Sequence, residues 1–156
     1  MSKGSVCDGA GRDARGGGLP CSQCGVIAQA AHQPRRIILV DDDRDCLEEM
    51  AETLRRLGHM ACSFPAPGKA IDYLGSNSCD ILISDVHMQD MGGPQLALWV
   101  SVNRPGTRII LMSSAAIDGS VLHDDWKLLP KPAALSRIRC AIECPRPGAS
   151  QDSPAS

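Results

Sequence analysis

The chain has 156 residues, of which 43% are hydrophobic and 22% are charged, and its formal net charge is −2. This length and composition predict one globular domain with a real core, and the absence of a strong basic excess argues against nucleic acid as a partner. No apolar stretch approaches the roughly 18–20 residues needed to span a membrane. The N-terminus lacks the apolar segment of a secretion signal, so we expect a cytoplasmic protein with no membrane partner.

The eight cysteines do not predict a disulfide scaffold. Four of them lie in apolar-periodic segments, as buried reduced thiols of a cytosolic protein do: Cys46, Cys62, Cys79 and Cys140. Cys21 and Cys24 have the spacing of a zinc knuckle, and Cys7 and His32 could complete four ligands. A structural zinc site usually shows a second close pair of ligands, so we expect incidental thiols instead.

The two ends of the chain differ in composition from its middle. Residues 1–34 are rich in glycine with scattered Ser, Asp and Arg, and such a segment buries too little apolar surface to order itself. Residues 144–156 are rich in Pro, Ser, Ala and Gly. We therefore predict flexible tails at 1–34 and 144–156 and a folded domain at 35–143.

Within this domain, strand patterns alternate with helix patterns. Short apolar runs bounded by polar or turn residues are typical of buried parallel strands, and they occur at 36–41, 60–64, 80–84, 108–112 and 128–129. Helices are predicted from about 43 to 57, over 67–74 with Ala70, Ile71 and Leu74 buried, from Pro94, near 118–123, and over 133–142 with Leu135, Ile138 and Ile142 facing inward. Either Asp43 or Asp45 is expected to cap the first helix, and Gly58 to end it.

This alternation predicts a parallel α/β sheet with right-handed crossovers and helices on both faces, as in a mononucleotide-type or flavodoxin-like sandwich. Three of the strands stop at charged residues: Asp41-Asp42-Asp43, Asp85 and Lys131. In an open α/β sheet, ligands bind beyond the carboxyl ends of the strands. The charged residues should therefore converge on one pocket that suits a divalent cation and an anionic group.

Four motifs occur in an order and at a spacing that resemble a known family. They are ILVDDD after the first strand, LISDVHM followed by Gly92-Gly93, IILMSS at the fourth strand and LLPKP at the fifth. Together they resemble the receiver domain of two-component response regulators over about residues 35–143, and look closest to the receivers of hybrid histidine kinases. The resemblance implies a flavodoxin-like, doubly wound sheet of five parallel strands in the order 2-1-3-4-5.

The resemblance also implies roles for the charged residues. Asp85 would be the phosphoacceptor. Mg²⁺ would be bound directly by Asp42 and Asp85, through water by Asp41, and by the backbone carbonyl of His87. Mg²⁺ prefers such oxygen ligands and would screen the repulsion between a carboxylate and a phosphoryl group. Three acids this close should also titrate together.

Two further residues are implied to contact the acyl phosphate: Lys131 through its charge and Ser113 through its hydroxyl. The sequence departs from the family pattern at Gln89, where proline is usual, and at Leu128, where an aromatic switch residue is expected. Trp126 is near but out of register. The shortened segment between Ser113 and Lys131 predicts a stunted fourth helix. These departures affect the signalling surface more than the phosphorylation.

The leading interpretation is a stand-alone receiver that takes a phosphoryl group from a histidine kinase or a histidine phosphotransfer protein. Because only a short tail follows Ile142, we expect its output to be contact with a downstream protein target. An alternative is a Mg²⁺-dependent phosphohydrolase with Asp41 as nucleophile and Asp43 as acid, although Asp45 stands where that pattern has Thr or Ser. A third is a non-phosphorylated binding module with the receiver fold.

Overall fold

The computed structural model describes residues 33–118 and 122–143. Except for residues 33 and 34, the predicted tails lie outside the described residues, as do Cys7, Cys21, Cys24 and His32, so the domain limits and the judgement on zinc stay predictions. The chain divides into two compact units. The described residues up to 131 belong to one unit, and residues 132–143 are the described part of the other.

The larger unit contains a sheet of five strands, all paired in parallel, in the order β2-β1-β3-β4-β5. The strands are β1 Arg36–Val40, β2 Met60–Phe64, β3 Ile81–Asp85, β4 Arg108–Ser113 and β5 Lys127–Pro130. The helices are α1 Arg44–Arg56, α2 Pro67–Ser76 and α3 Gly93–Asn103, and in the smaller unit α4 Leu135–Glu143. The predicted flavodoxin-like topology is confirmed. In the part of the chain that the structure describes, every helix is too short or too polar to span a bilayer.

Both faces of the sheet are apolar because side chains alternate along each strand. On one face, Ile38, Leu82 and Leu111 form a buried cluster with α2 and α3 residues. On the other face lie the buried side chains of Ile37, Leu39 and Ile83, and α1 contacts β1 and β2. The three central strands β1, β3 and β4 are therefore buried on two sides, which explains their continuous apolar runs.

Helix α1 begins immediately beyond the strand that carries the acid pair. Asp43 is its N-cap, and the Asp43 carboxylate accepts hydrogen bonds from the amides of Asp45 and Cys46 at 3.1 and 3.4 Å. The helix ends before Gly58, whose φ of 95° is a conformation that glycine adopts without strain. Both predicted ends of this helix are confirmed, with Asp43 rather than Asp45 as the cap.

Replacing the cap should destabilise the protein. We expect Asp43→Ala to lower the free energy of unfolding by about 1 kcal/mol, because two helical amides lose their acceptor. Urea denaturation followed by circular dichroism measures this change. Asp43→Ser is the matched control, since it keeps a capping oxygen and removes the charge. Equal destabilisation by both variants would show that the hydrogen bonds are not the cause.

Several sequence predictions need correction. Asp118, Leu122 and His123 are not helical, and residues 119–121 lie outside the described residues, so the short helix near 118–123 is not confirmed. This stretch lacks a helical apolar period. Its isolated apolar side chains Ile117, Leu122 and Trp126 pack against the core cluster instead.

Other corrections concern burial. Leu135 is exposed, because it is the first residue of α4 and the buried strip runs through the later turns at Ile138, Ala141 and Ile142. Ile71 is only half-buried. Cys79 is buried as predicted, whereas the other three described cysteines are half-buried, and none of the four is in a disulfide: Cys46, Cys62, Cys79 and Cys140.

Candidate functional site

The acid pair and the single aspartate meet because β1 and β3 are neighbours in register. Val40 lies opposite Ser84, so Asp41 and Asp85 each follow that pair by one residue. Carboxylate oxygens of Asp41, Asp42 and Asp85 lie within 4.8 Å of one another. Hard oxygen donors at this spacing fit a divalent cation such as Mg²⁺.

The side chain of Lys131 reaches the same cluster from the end of the edge strand β5. It follows β5, and its backbone amide donates to the carbonyl of Ser113 at 2.7 Å. Its Nζ lies 2.8 Å from Asp41 Oδ2 and 3.1 Å from Asp85 Oδ1. The three side chains are 20%, 13% and 10% exposed in the order Lys131, Asp41, Asp85. Contacts this short between partly buried charges are charge-assisted hydrogen bonds.

The three carboxylates have different surroundings. Asp41 is engaged through both oxygens, since its Oδ1 accepts from the Asp43 amide at 2.9 Å and its Oδ2 contacts Lys131. Asp85 contacts Lys131 through Oδ1. Asp42 is exposed. In this cluster, Asp41 is held by contacts at both oxygens, Asp85 is half-buried beside the Lys131 cation, and Asp42 is open to solvent.

The electrostatics of the pair follow from burial and contact. Burial raises the pKa of Asp85 above its ordinary value; Lys131 opposes this, while the charges of Asp41 and Asp42 add to it. For Lys131, burial lowers the pKa, but the hydrogen bonds to Asp41 and Asp85 outweigh it and raise the pKa to about 12. Lys131 is thus a cation at neutral pH.

The raised pKa of Asp85 has a consequence for stability. The folded state binds a proton on Asp85 more readily than the unfolded chain does, so this group's contribution to stability falls as pH rises above the ordinary carboxyl pKa. Without Mg²⁺ at pH 7, Asp85→Asn should therefore melt at a higher temperature than the parent, and the difference should shrink toward pH 4. Calorimetry of both proteins in EDTA measures this, and a lower melting temperature for Asp85→Asn would contradict it.

Lys131 has a pH dependence of the same sign, but in a much more alkaline range. Its pKa is raised from 10.5 to about 12, so its stabilising contribution is fully present below the ordinary lysine pKa and is lost as pH rises through about 12. The ion pair is therefore intact throughout the physiological range.

Ser113 lies at the carboxyl end of β4, one residue beyond the partner of Asp85 in the ladder, Met112. The side chain is buried, and its hydroxyl is engaged in a local turn: it donates to the carbonyl of Ala115 at 2.8 Å and accepts from the Ala115 amide at 3.1 Å. The serine is thus near the cluster by topology, but its hydroxyl is occupied elsewhere. Its contact with a phosphoryl group stays a prediction.

The remaining residues singled out in the sequence lie around this cluster. His87 and Gln89 are exposed in the loop between β3 and α3, and the role of the His87 carbonyl stays a prediction. Leu128 is 38% exposed on β5. Trp126 is half-buried, and its ring lies in tilted contact with that of His123, with ring centroids 5.2 Å apart. The position at which the family pattern has an aromatic switch residue is therefore occupied by an exposed aliphatic side chain, that of Leu128.

Two uncharged residues beside Asp85 were missed by the sequence analysis, because it looked for charged residues at the strand ends. Ser84 is a buried hydroxyl directly before Asp85, and Gly93 packs on the backbone of Asp85. The Gly92-Gly93 pair indicated only a loop before a helix. The available signal was a polar residue within an apolar strand, at Ser84.

Comparison with known proteins agrees with this architecture. Residues 37–143 match the response regulator receiver domain, and the chain belongs to that family. It is 26% identical over 129 residues to the transcriptional regulatory protein GlrR of Escherichia coli (strain K12), covering 78% of this chain and 29% of that one. It is 30% identical over 108 residues to a response regulator receiver protein of Anaeromyxobacter sp., covering 67% and 45%. The chain thus spans less than half the length of these relatives.

Solved structures share the fold. A chemotaxis protein of Vibrio cholerae superposes with a TM-score of 0.64 at 19% identity, covering 72% of this chain and all of that one. The signal receiver domain of an HD domain-containing protein from Pseudomonas fluorescens gives a TM-score of 0.63 at 23% identity, covering 70% and 92%.

Proposed function

We propose that this protein accepts a phosphoryl group on Asp85 from the phosphohistidine of a histidine kinase or a histidine phosphotransfer protein, with Mg²⁺ as cofactor. The observation that carries the proposal is the position of Lys131, whose Nζ contacts both Asp41 and Asp85 at 2.8 and 3.1 Å. A cation held against two of three clustered acids suits a site where anionic charge must be balanced during transfer.

In the transfer, a carboxylate oxygen of Asp85 attacks phosphorus while the bond from phosphorus to the histidine nitrogen breaks. The imidazole leaves with the bonding electron pair and takes up a proton. Lys131 stays charged throughout, since its pKa of about 12 keeps the proton on Nζ. Its ammonium can contact a phosphoryl oxygen without leaving the neighbourhood of Asp41.

The donor set fits Mg²⁺ because it consists of hard carboxylate oxygens within 4.8 Å of one another. Asp42 and Asp85 would be direct ligands, with Asp41 through water and the His87 carbonyl completing the protein ligands. When bound, Mg²⁺ supplies positive charge that offsets the repulsion between the carboxylates and the incoming phosphoryl oxygens. Exposed Asp42 leaves this position reachable from solvent.

Phosphorylation would be read out through the loops that begin at Ser113 and Lys131. The Ser113 hydroxyl would exchange its hydrogen bonds with Ala115 for one to the phosphoryl group, which would draw the residues after β4 toward Asp85. Lys131 is tied to Ser113 by a backbone hydrogen bond, so the two loops would move together. The expected recipient is a downstream protein target.

Incubation of the full chain with Mg²⁺ and acetyl phosphate tests the proposal. We expect intact-mass spectrometry to show one added phosphoryl group per chain, and EDTA to prevent the addition. Absence of labelling in Mg²⁺, or equal labelling in EDTA, would overturn the proposed function.

A further inference from the structure

We propose that Ser84 and Gly93 are positioning residues that hold the backbone carbonyl of Asp85 and thereby aim its carboxylate into the acid cluster. The inference rests on the proposed function of Asp85. Neither residue contacts the reacting atoms, so their effect on phosphorylation would pass through the peptide that joins Asp85 to Val86.

Ser84 supplies a donor where the strand ladder ends. The pairing of β3 with β1 stops at Val40 and Ser84, while pairing with β4 continues to Asp85. The Ser84 hydroxyl donates to the Asp85 carbonyl at 3.0 Å, and the side chain is 1% exposed. A hydroxyl buried among apolar residues is costly unless it is hydrogen-bonded, so this bond explains a polar residue in an otherwise apolar strand.

Gly93 packs on the same carbonyl from the side of α3. A Cβ added at Gly93 would lie 2.3 Å from the Asp85 carbonyl oxygen and 2.9 Å from the Cα of Val86. The Gly93 amide also donates to the Val86 carbonyl at 2.9 Å. Glycine is therefore required here for space, because any side chain would push the backbone of Asp85 away from α3.

A third contact completes the arrangement. The Val86 amide donates to the Met112 carbonyl of β4 at 2.8 Å. The peptide between Asp85 and Val86 is thus held by the Ser84 hydroxyl, by the packing of Gly93 and by β4. Reacting groups must be held to within about 0.5 Å of their working geometry, and fixing this peptide also fixes the path of the backbone toward His87.

The first test replaces Ser84 with alanine in the full chain. We expect the rate of labelling by acetyl phosphate to fall about fivefold to tenfold and the Mg²⁺ dissociation constant to rise by a similar factor, as for loss of one hydrogen bond. Thr107→Val is the matched control. The buried Thr107 hydroxyl donates to the Cys79 carbonyl at 3.1 Å, near the amino-terminal ends of β4 and β3 and away from the acid cluster. The control should lose stability but keep both values.

A readout that needs neither metal nor phosphoryl donor separates this inference from the proposed function. Hydrogen exchange at the amides of Val86 and Gly93 should be faster in Ser84→Ala than in the parent and unchanged in Thr107→Val. If the parent is never labelled, the proposed function fails. The exchange result still tests whether Ser84 holds the peptide between Asp85 and Val86. Parent-like exchange in Ser84→Ala would overturn the inference, as would equal loss of labelling in both variants.

Gly93→Ala provides a second variant. It should slow labelling more than Ser84→Ala does, because the backbone of Asp85 must move. Gly75→Ala is its control, since a Cβ there meets nothing within 4 Å. If folded Gly93→Ala is labelled at the parent rate, the requirement for space at Asp85 is refuted. If Gly93→Ala does not fold, the result for Ser84→Ala decides alone.

Discussion

Asp85→Asn should reduce phosphorylation by acetyl phosphate to background. The amide has nearly the size of the carboxylate but is not a nucleophile, and the other charged residues of the cluster stay in place. Phosphoryl incorporation is measured by intact mass at equal protein and Mg²⁺ concentrations. Asp90→Asn is the matched control, because Asp90 is exposed in the loop after β3 and belongs to none of the contacts of the cluster.

Labelling of Asp85→Asn at the parent level would mean that another residue is the acceptor. The same experiment with Asp41→Asn judges the phosphohydrolase alternative, which requires Asp41 as nucleophile. That alternative also requires Asp43 as acid, yet the Asp43 carboxylate is occupied in capping α1. Steady release of phosphate from a phosphomonoester, lost in Asp41→Asn and kept in Asp85→Asn, would favour the phosphohydrolase.

Replacing Lys131 should have opposite effects on metal binding and on phosphorylation. In Lys131→Met the three carboxylates lose the cation that contacts two of them. We expect Mg²⁺ to bind roughly tenfold more tightly, because one positive charge a few ångströms away no longer competes. Labelling at saturating Mg²⁺ should nevertheless be slower, because the phosphoryl oxygens lose an ammonium partner.

Isothermal titration with Mg²⁺ and the initial labelling rate measure these two effects. Lys69→Met is the control, since Lys69 is exposed on α2 and its removal changes the net charge equally. If Lys131→Met binds Mg²⁺ more weakly than Lys69→Met, Lys131 does not compete with the metal. If its labelling rate equals that of the parent, Lys131 has no part in transfer.

The sheet could be predicted from the sequence because strand and helix periodicities leave few alternatives. The run at 60–64 coincides with β2, and the alternation of strands and helices predicts parallel pairing. The meeting of Asp41, Asp85 and Lys131 followed from one rule, that parallel strands end at the same edge. This rule places Lys131 beside Asp41 and Asp85, although these residues are 90 and 46 positions away from it in the chain.

Details that depend on packing could not be predicted. Whether the Ser113 hydroxyl turns toward Asp85 or toward Ala115 depends on a rotamer, and no periodicity reports it. The closeness of Gly93 to Asp85 depends on how the loop brings the start of α3 against the end of β3, and apolar periodicity does not report this packing. The burial predicted for Leu135 failed because helical period alone does not tell which turn of a helix is covered.

The binding-module alternative predicts partner contacts that are indifferent to Mg²⁺ and to phosphodonor. The pairing of Lys131 with both acids argues for a chemically competent site, because three clustered carboxylates without a cofactor would cost stability. Leu128 in place of an aromatic residue leaves the readout surface different from the family pattern. Partner binding compared with and without acetyl phosphate therefore tests the readout separately from the chemistry.

A crystal structure of the protein with Mg²⁺ and beryllium trifluoride would test the central claim most directly. We expect the metal to be bound by Asp42 and Asp85, the beryllium atom to be bonded to a carboxylate oxygen of Asp85, and Nζ of Lys131 to contact a fluorine atom. Attachment of the beryllium group to Asp41, or Mg²⁺ bound away from Asp85, would contradict the assignment of the phosphoacceptor.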